Sequence, residues 1–196
     1  MVKLKVKFIL LLLIAISLEA HSQRHYKGIS SLEMNYGTNV FGKADNYANI
    51  AFGKYISRKS YWKAGLNYFE KSFEYLAQQP SAMPDMYMSL METYPVSNES
   101  KARDWYIDGS YNYTFVSNLK SVYWSIGIGA FMGTEYSKYP KEEYQFIIGP
   151  EIGTEIEFFI LPKMAFIAGI KEVWNPLSIK KWNTIWNAGI KILLYK

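Results

Sequence analysis

The sequence predicts an all-β protein: an eight-stranded antiparallel up-and-down transmembrane β-barrel, preceded by a cleavable signal peptide. Three observations carry this expectation. Apolar and polar side chains alternate with a period of two along most of the chain, which is the signature of strands with two unlike faces. Amphipathic rings are in excess, with 17 Tyr, 11 Phe and 6 Trp among 196 residues, as befits a protein that meets a lipid–water boundary. Finally, short connections alternate with long ones, the layout of outer-membrane barrels with tight turns at one end and loops at the other.

The first 22 residues read as an address. Lys3, Lys5 and Lys7 precede an apolar stretch from Phe8 to Leu18, and Ala20 and Ser22 supply small residues before a cut that would leave Gln23 first. That stretch falls short of the ~20 apolar residues a spanning helix needs, so an uncleaved anchor is the weaker alternative. Residues 23–196 form the second unit, the barrel domain. Losing three lysines and one glutamate with the leader lowers the formal charge from +5 to +3. The sequence pI near 9.1 therefore owes part of its value to the leader, and no direct nucleic-acid binding is predicted.

Eight strands follow, at about 28–38, 46–56, 61–76, 103–116, 121–134, 144–159, 163–174 and 182–195. In the fourth, Trp105, Ile107, Tyr111, Tyr113 and Phe115 share one face with Gly109, and Asp104, Asp108, Ser110, Asn112 and Thr114 occupy the other. The fifth sets Val122, Trp124, Ile126, Ile128, Ala130 and Met132 against Ser125, Gly127 and Gly129, small residues that suit a crowded interior. In the eighth, Trp182, Thr184, Trp186, Ala188, Ile190, Ile192 and Leu194 oppose Asn183, Asn187, Gly189 and Lys191. The links at 57–60, 117–120 and 161–163 are short, and those at 39–45, 77–102, 135–143 and 175–181 are longer.

A soluble sandwich would put aliphatic residues on its apolar face and a dense charge on the other. Here the apolar faces carry Trp62, Tyr68, Trp105, Trp124, Trp182 and Trp186 near strand ends, and several strands reach the ~9–11 residues that cross a bilayer at a tilt. Strands in lipid cannot leave an edge unpaired, because each orphaned backbone group costs several kcal/mol, so they must close. A soluble lipocalin-like barrel is the competing architecture.

The polar faces supply the candidate site residues. Glu151, Glu155 and Glu157 share one face of the sixth strand, and parity places Lys171 and Lys191 on the same side of the sheet in the next two. Since an eight-stranded lumen is only wide enough to be filled by side chains, these five residues are expected to form a hydrogen-bonded plug. A catalytic carboxylate pair fits poorly, because i, i+4 positions on a strand lie ~13 Å apart. Pro150 is expected to mark a bulge or the rim. Met83, Met86, Tyr87, Met88 and Met91, in a proline-bearing loop, form a candidate interaction segment, as flexible apolar side chains can cover the mouth or contact a protein.

Enzyme classes are poorly served. The chain has no cysteine, which excludes thiolate sites and disulfides, and His25 is the sole histidine after the leader. No nucleophile–histidine triad, metal site or phosphate-cradling glycine motif can be assembled, so neither enzymatic activity nor a cofactor is expected.

From the leader to the C-terminus, the sequence resembles the TraO family of conjugal transfer proteins of conjugative transposons. The similar segments are Gly28-Ile29-Ser30-Ser31-Leu32-Glu33-Met34, Asp45-Asn46-Tyr47, Gly65-Leu66-Asn67-Tyr68, Tyr106 to Phe115, Ser125-Ile126-Gly127-Ile128-Gly129 and Trp186-Asn187-Ala188-Gly189-Ile190-Lys191-Ile192. Asn187, Gly189, Ile192 and Leu194 also resemble the terminal pattern read by barrel-insertion machinery, with leucine in place of the usual aromatic. The resemblance implies a structural component of a type IV secretion-like DNA-transfer apparatus in the outer membrane, held in lipid and touching other conjugal transfer proteins. A general OmpA/OmpX-like small barrel is the alternative.

Overall fold

A computed structural model describes residues 25–41, 45–77, 96–118, 120–138 and 142–195. Eight strands run in chain order: β1 Ser30–Asn39, β2 Asn46–Tyr55, β3 Ser60–Ala77, β4 Val96–Ser117, β5 Val122–Ser137, β6 Glu143–Leu161, β7 Met164–Trp174 and β8 Trp182–Leu194. Each pairs antiparallel with its sequence neighbour, and β1 pairs with β8 from Ser30–Leu194 to Asn39–Ile185, closing the barrel. The eight-stranded up-and-down architecture is the one the alternation predicts. Residues 1–22 and the methionine-rich segment, including Met83, Met86, Tyr87, Met88 and Met91, lie outside the described residues.

The outer surface is inverted relative to a water-soluble protein. Met34, Ile50, Leu66, Ile107, Ile128, Ile152 and Ile170 are all at least half exposed, one from each of seven consecutive strands, and form an apolar belt. Aromatic rings flank it on both sides. Towards the short turns, Phe52 meets Trp62 and Phe115 meets Trp124; towards the long loops, Tyr68 meets Trp105 at 4.8 Å and Trp174 meets Trp182. A belt between two girdles is the exterior of a transmembrane barrel, which places the protein in an outer membrane with the short turns towards the periplasm.

Two expectations need correction. The fourth strand begins at Val96 and not near 103, because Ser97 to Lys101 are polar on both faces and stand where no apolar face is required. Pro150 makes no bulge; the register shifts fall at Thr114/Val116 and Phe159/Leu161. Pro150 lies opposite Ala130 on β5, one residue beyond Glu151–Val173, the last pair between β6 and β7. It sits where the strand becomes an edge, a position that spares the missing N–H.

The barrel rim is uneven. Pairing between β2 and β3 ends at Asn46–Glu70, whereas β3 and β4 stay paired to Ala77–Val96. The seven residues 71–77 thus carry a two-stranded ribbon ~23 Å beyond the β2 rim at about 3.3 Å per residue. On the concave side, glycine permits close strand approach. A Cβ at Gly133 would lie 2.1 Å from the Trp105 carbonyl and 2.5 Å from Tyr106 Cα, backbone atoms that cannot step aside. Gly133→Ala is expected to cost ~1–3 kcal/mol, read as a lower midpoint in urea unfolding of the detergent-refolded barrel.

Candidate functional site

Inward-facing residues arrange the lumen in storeys. At the short-turn end Ile29, Tyr55, Tyr61, Tyr123, Phe159, Ala165 and Leu193 form a buried apolar floor. His25 completes it. Gly28, with φ of +94°, turns the segment before β1 back under the barrel, and its N–H donates to the Tyr55 carbonyl. The fully buried His25 ring stacks on Tyr123 at 3.8 Å, and Nε2 stands 3.0 Å from both Glu157 and the Tyr55 hydroxyl.

Directly above lies an ionic storey. Lys191 Nζ is 2.9 Å from Glu33, 2.8 Å from Glu155 and 2.8 Å from Glu157; Lys63 is 3.1 Å from Glu33 and 2.8 Å from Glu155. The structure therefore brings Glu155, Glu157 and Lys191 together, and places Glu151 and Lys171 one storey higher. There Lys171 contacts Asp108 at 2.5 Å and Glu151 at 3.2 Å, beside an amide chain in which Asn35 donates to Asn49 and both Asn49 and Tyr47 donate to Asn67. A second apolar layer follows, made of Tyr47, Phe69, Tyr106, Phe131, Ile147, Val173 and Ile185. At the top, Lys71 binds Asp104 at 2.8 Å and Glu135 at 2.5 Å, and the 175–181 loop caps the group through Ser178 Oγ and the Ile179 N–H, which donate to Glu135.

Sequence reasoning grouped five lumen charges, placed Asp104 and Asp108 on the polar face of the fourth strand without joining them to that group, and missed Glu33, Lys63, Lys71, Glu135 and the role of His25. Parity on β3 and β4 carries the signal for Lys63, Asp104 and Asp108, which stand beside the outward Trp62, Trp105 and Ile107; Lys71, between Glu70 and Ser72, has no such signal. His25 carries no such signal, because it precedes the first strand and is positioned by a turn.

Outside the lumen, a smaller charged group rides above the upper girdle. Lys101 and Arg103 donate to Glu70 at 2.7 and 3.2 Å, and the hydrogen bond from Lys101 leads the causes that hold the Glu70 carboxyl below the usual range. Lys101 and Arg103 are half exposed, so these pairs add little to stability. Beside them the Tyr136 ring packs at a tilt against Tyr144, 4.9 Å between centroids, and its hydroxyl donates to Glu142. Together they form an exposed charged and aromatic patch on the outer wall.

The chain matches no protein-family model and no curated protein. Solved structures do resemble it. The outer membrane protein OprG from Pseudomonas aeruginosa superposes with a TM-score of 0.59 at 8% identity, covering 90% of this chain and 100% of that one. The N-terminal β-barrel domain of Pseudomonas aeruginosa OprF gives 0.53 at 9% identity, covering 86% and 98%. Neisserial surface protein A gives 0.52 at 13% identity, covering 84% and 94%. At these identities the likeness is one of fold: a small outer-membrane barrel.

Proposed function

We propose that this protein works as a closed outer-membrane barrel that offers a surface and does not conduct solutes. The observation that carries the reading is the lumen itself, blocked by two separate apolar layers with ion pairs between and above them. Each layer would have to be dismantled before water formed a continuous thread, and opening the ionic storeys would strand buried charges. The purified protein in planar bilayers is expected to give no steady single-channel current; sustained large openings would refute the closed-lumen reading.

With transport set aside, function falls to the parts outside the hydrocarbon: the ribbon of β3 and β4 and the band holding Glu70, Arg103, Tyr136 and Tyr144. A general small-barrel role in the OmpA/OmpX manner is the reading the fold favours. A structural role in a conjugative DNA-transfer apparatus is the more specific proposal. Its support is the resemblance to TraO proteins, together with a ribbon long enough to meet other transfer proteins beyond the lipid headgroups. Deleting the gene from a donor strain distinguishes the two. Loss of transfer, restored by the gene in trans, supports the conjugation role; transfer at the normal frequency leaves the general barrel.

A further inference from the structure

We propose that the short-turn end of the barrel binds the phosphates of anionic phospholipids in the leaflet facing the periplasm, through a collar of lysine and arginine side chains. Exposed charge is split between the two ends of the molecule. Among the described residues, the exposed carboxylates, Glu74, Glu99, Glu142 and Glu143, all stand at the long-loop end. None is exposed at the opposite end, where Lys27, Lys54, Arg58, Lys59, Lys120 and Lys163 all are. The carboxylates nearest that end, Glu33, Glu155 and Glu157, are buried in the lumen and already bound by Lys63 and Lys191. The collar therefore attracts anions from outside the chain.

Position selects lipid as the source of those anions. Lys54 points outwards between the buried Gly53 and Tyr55, and it pairs in register with Trp62, whose ring meets Phe52 in the lower aromatic girdle. Its stem thus lies along the edge of the hydrocarbon and carries the ammonium to headgroup level. The tight turns hold the others at the same border. Ser57 Oγ accepts from the N–H groups of Lys59 and Ser60 and fixes the turn that carries Arg58 and Lys59; Asn118 Oδ1 accepts from those of Lys120, Ser121 and Val122. Lys163 lies over the Tyr195 ring at 5.4 Å, and Tyr195 stacks in turn on Tyr26, the neighbour of Lys27. The three turns join β2 to β3, β4 to β5 and β6 to β7, so they stand two strands apart, and the segment before β1 supplies Lys27 on the remaining side. Positive charge therefore surrounds the barrel close to one depth. A soluble acidic protein would meet one side or the floor, whereas a leaflet meets the whole circumference, and each basic group beside an anionic leaflet adds its own attraction.

The test refolds the full chain into phosphatidylcholine vesicles and reads, by electron spin resonance, how strongly spin-labelled phosphatidylglycerol is held at the protein relative to spin-labelled phosphatidylcholine. The wild type is expected to prefer phosphatidylglycerol by about threefold at low salt, and the preference to fall towards unity in about 1 M salt, where screening acts within ~3 Å. Arg58→Gln combined with Lys59→Gln, on exposed turn positions whose side chains the fold does not need, is expected to lower the ratio clearly. Adding Lys27→Gln and Lys163→Gln brings it close to unity; should that fourfold variant not refold, the double variant decides alone. Lys138→Gln with Lys181→Gln withdraws two charges from the long-loop end and should leave the ratio unchanged. Equal association of the two lipids with the wild type would overturn the proposal, as would a preference that the short-turn substitutions leave intact or that the loop-end pair abolishes. Retention of the detergent-solubilised wild type on immobilised polyglutamate, lost in R58Q/K59Q and accompanied by a lipid ratio of unity, would also overturn it, by assigning the collar to a soluble acidic partner.

Discussion

Ile128→Arg is expected to destabilise the barrel by ~2–4 kcal/mol, the range for arginine near the bilayer midplane. Ile128 is 65% exposed and lies between Tyr111 on β4 and Ile152 on β6, in the middle of the apolar belt. If water covered this face, the substitution would add a charge to an exposed position, where changes stay within about 0.5 kcal/mol. The two environments therefore predict opposite outcomes for one variant. Urea unfolding in lipid vesicles measures it, and a neutral result would remove the membrane argument altogether.

The second large effect concerns Lys191. Its ammonium is fully buried and contacts three carboxylates, two of which, Glu33 and Glu157, are fully buried as well. Lys191→Met keeps most of the volume and withdraws the charge, leaving Lys63 to face all three. Breaking a buried pair on one side only costs about 3–5 kcal/mol, because the partners are left without compensation. Adding Glu157→Gln to the same variant should recover part of that loss, since one of the stranded charges is then gone. The midpoint of urea unfolding follows both steps. Lys101→Ala, on a half-exposed ion pair, is the control and should leave the midpoint unmoved.

Much of this architecture was legible because lipid enforces a strict grammar. A strand lined by hydrocarbon outside and side chains inside must alternate, so Trp105 against Asp104 or Ile128 against Gly127 names the face without further context. Glu155, Glu157 and Lys191 could be grouped by parity alone. What escaped the sequence obeys other physics. The outer part of β4 is held by its partner strand in water, where no alternation is imposed, and its start at Val96 was invisible. His25 belongs to no strand and reaches the floor through the turn at Gly28, a tertiary contact. The vertical order of the storeys also depends on register and tilt, which set Lys171 beside Asp108 from a strand three positions away around the barrel.

The seam between β1 and β8 joins Ser30 to Leu194 and Glu33 to Lys191. The earliest and latest parts of this domain to emerge from the ribosome are thus mutual neighbours, and the ammonium that quiets three carboxylates arrives with the final strand. A nascent chain lacking its last few residues holds Glu33, Glu155 and Glu157 with Lys63 alone, and it has two raw edges in place of a seam. Closing the seam and balancing the charge beneath it are therefore one event, since both wait on the pairing of β8 with β1.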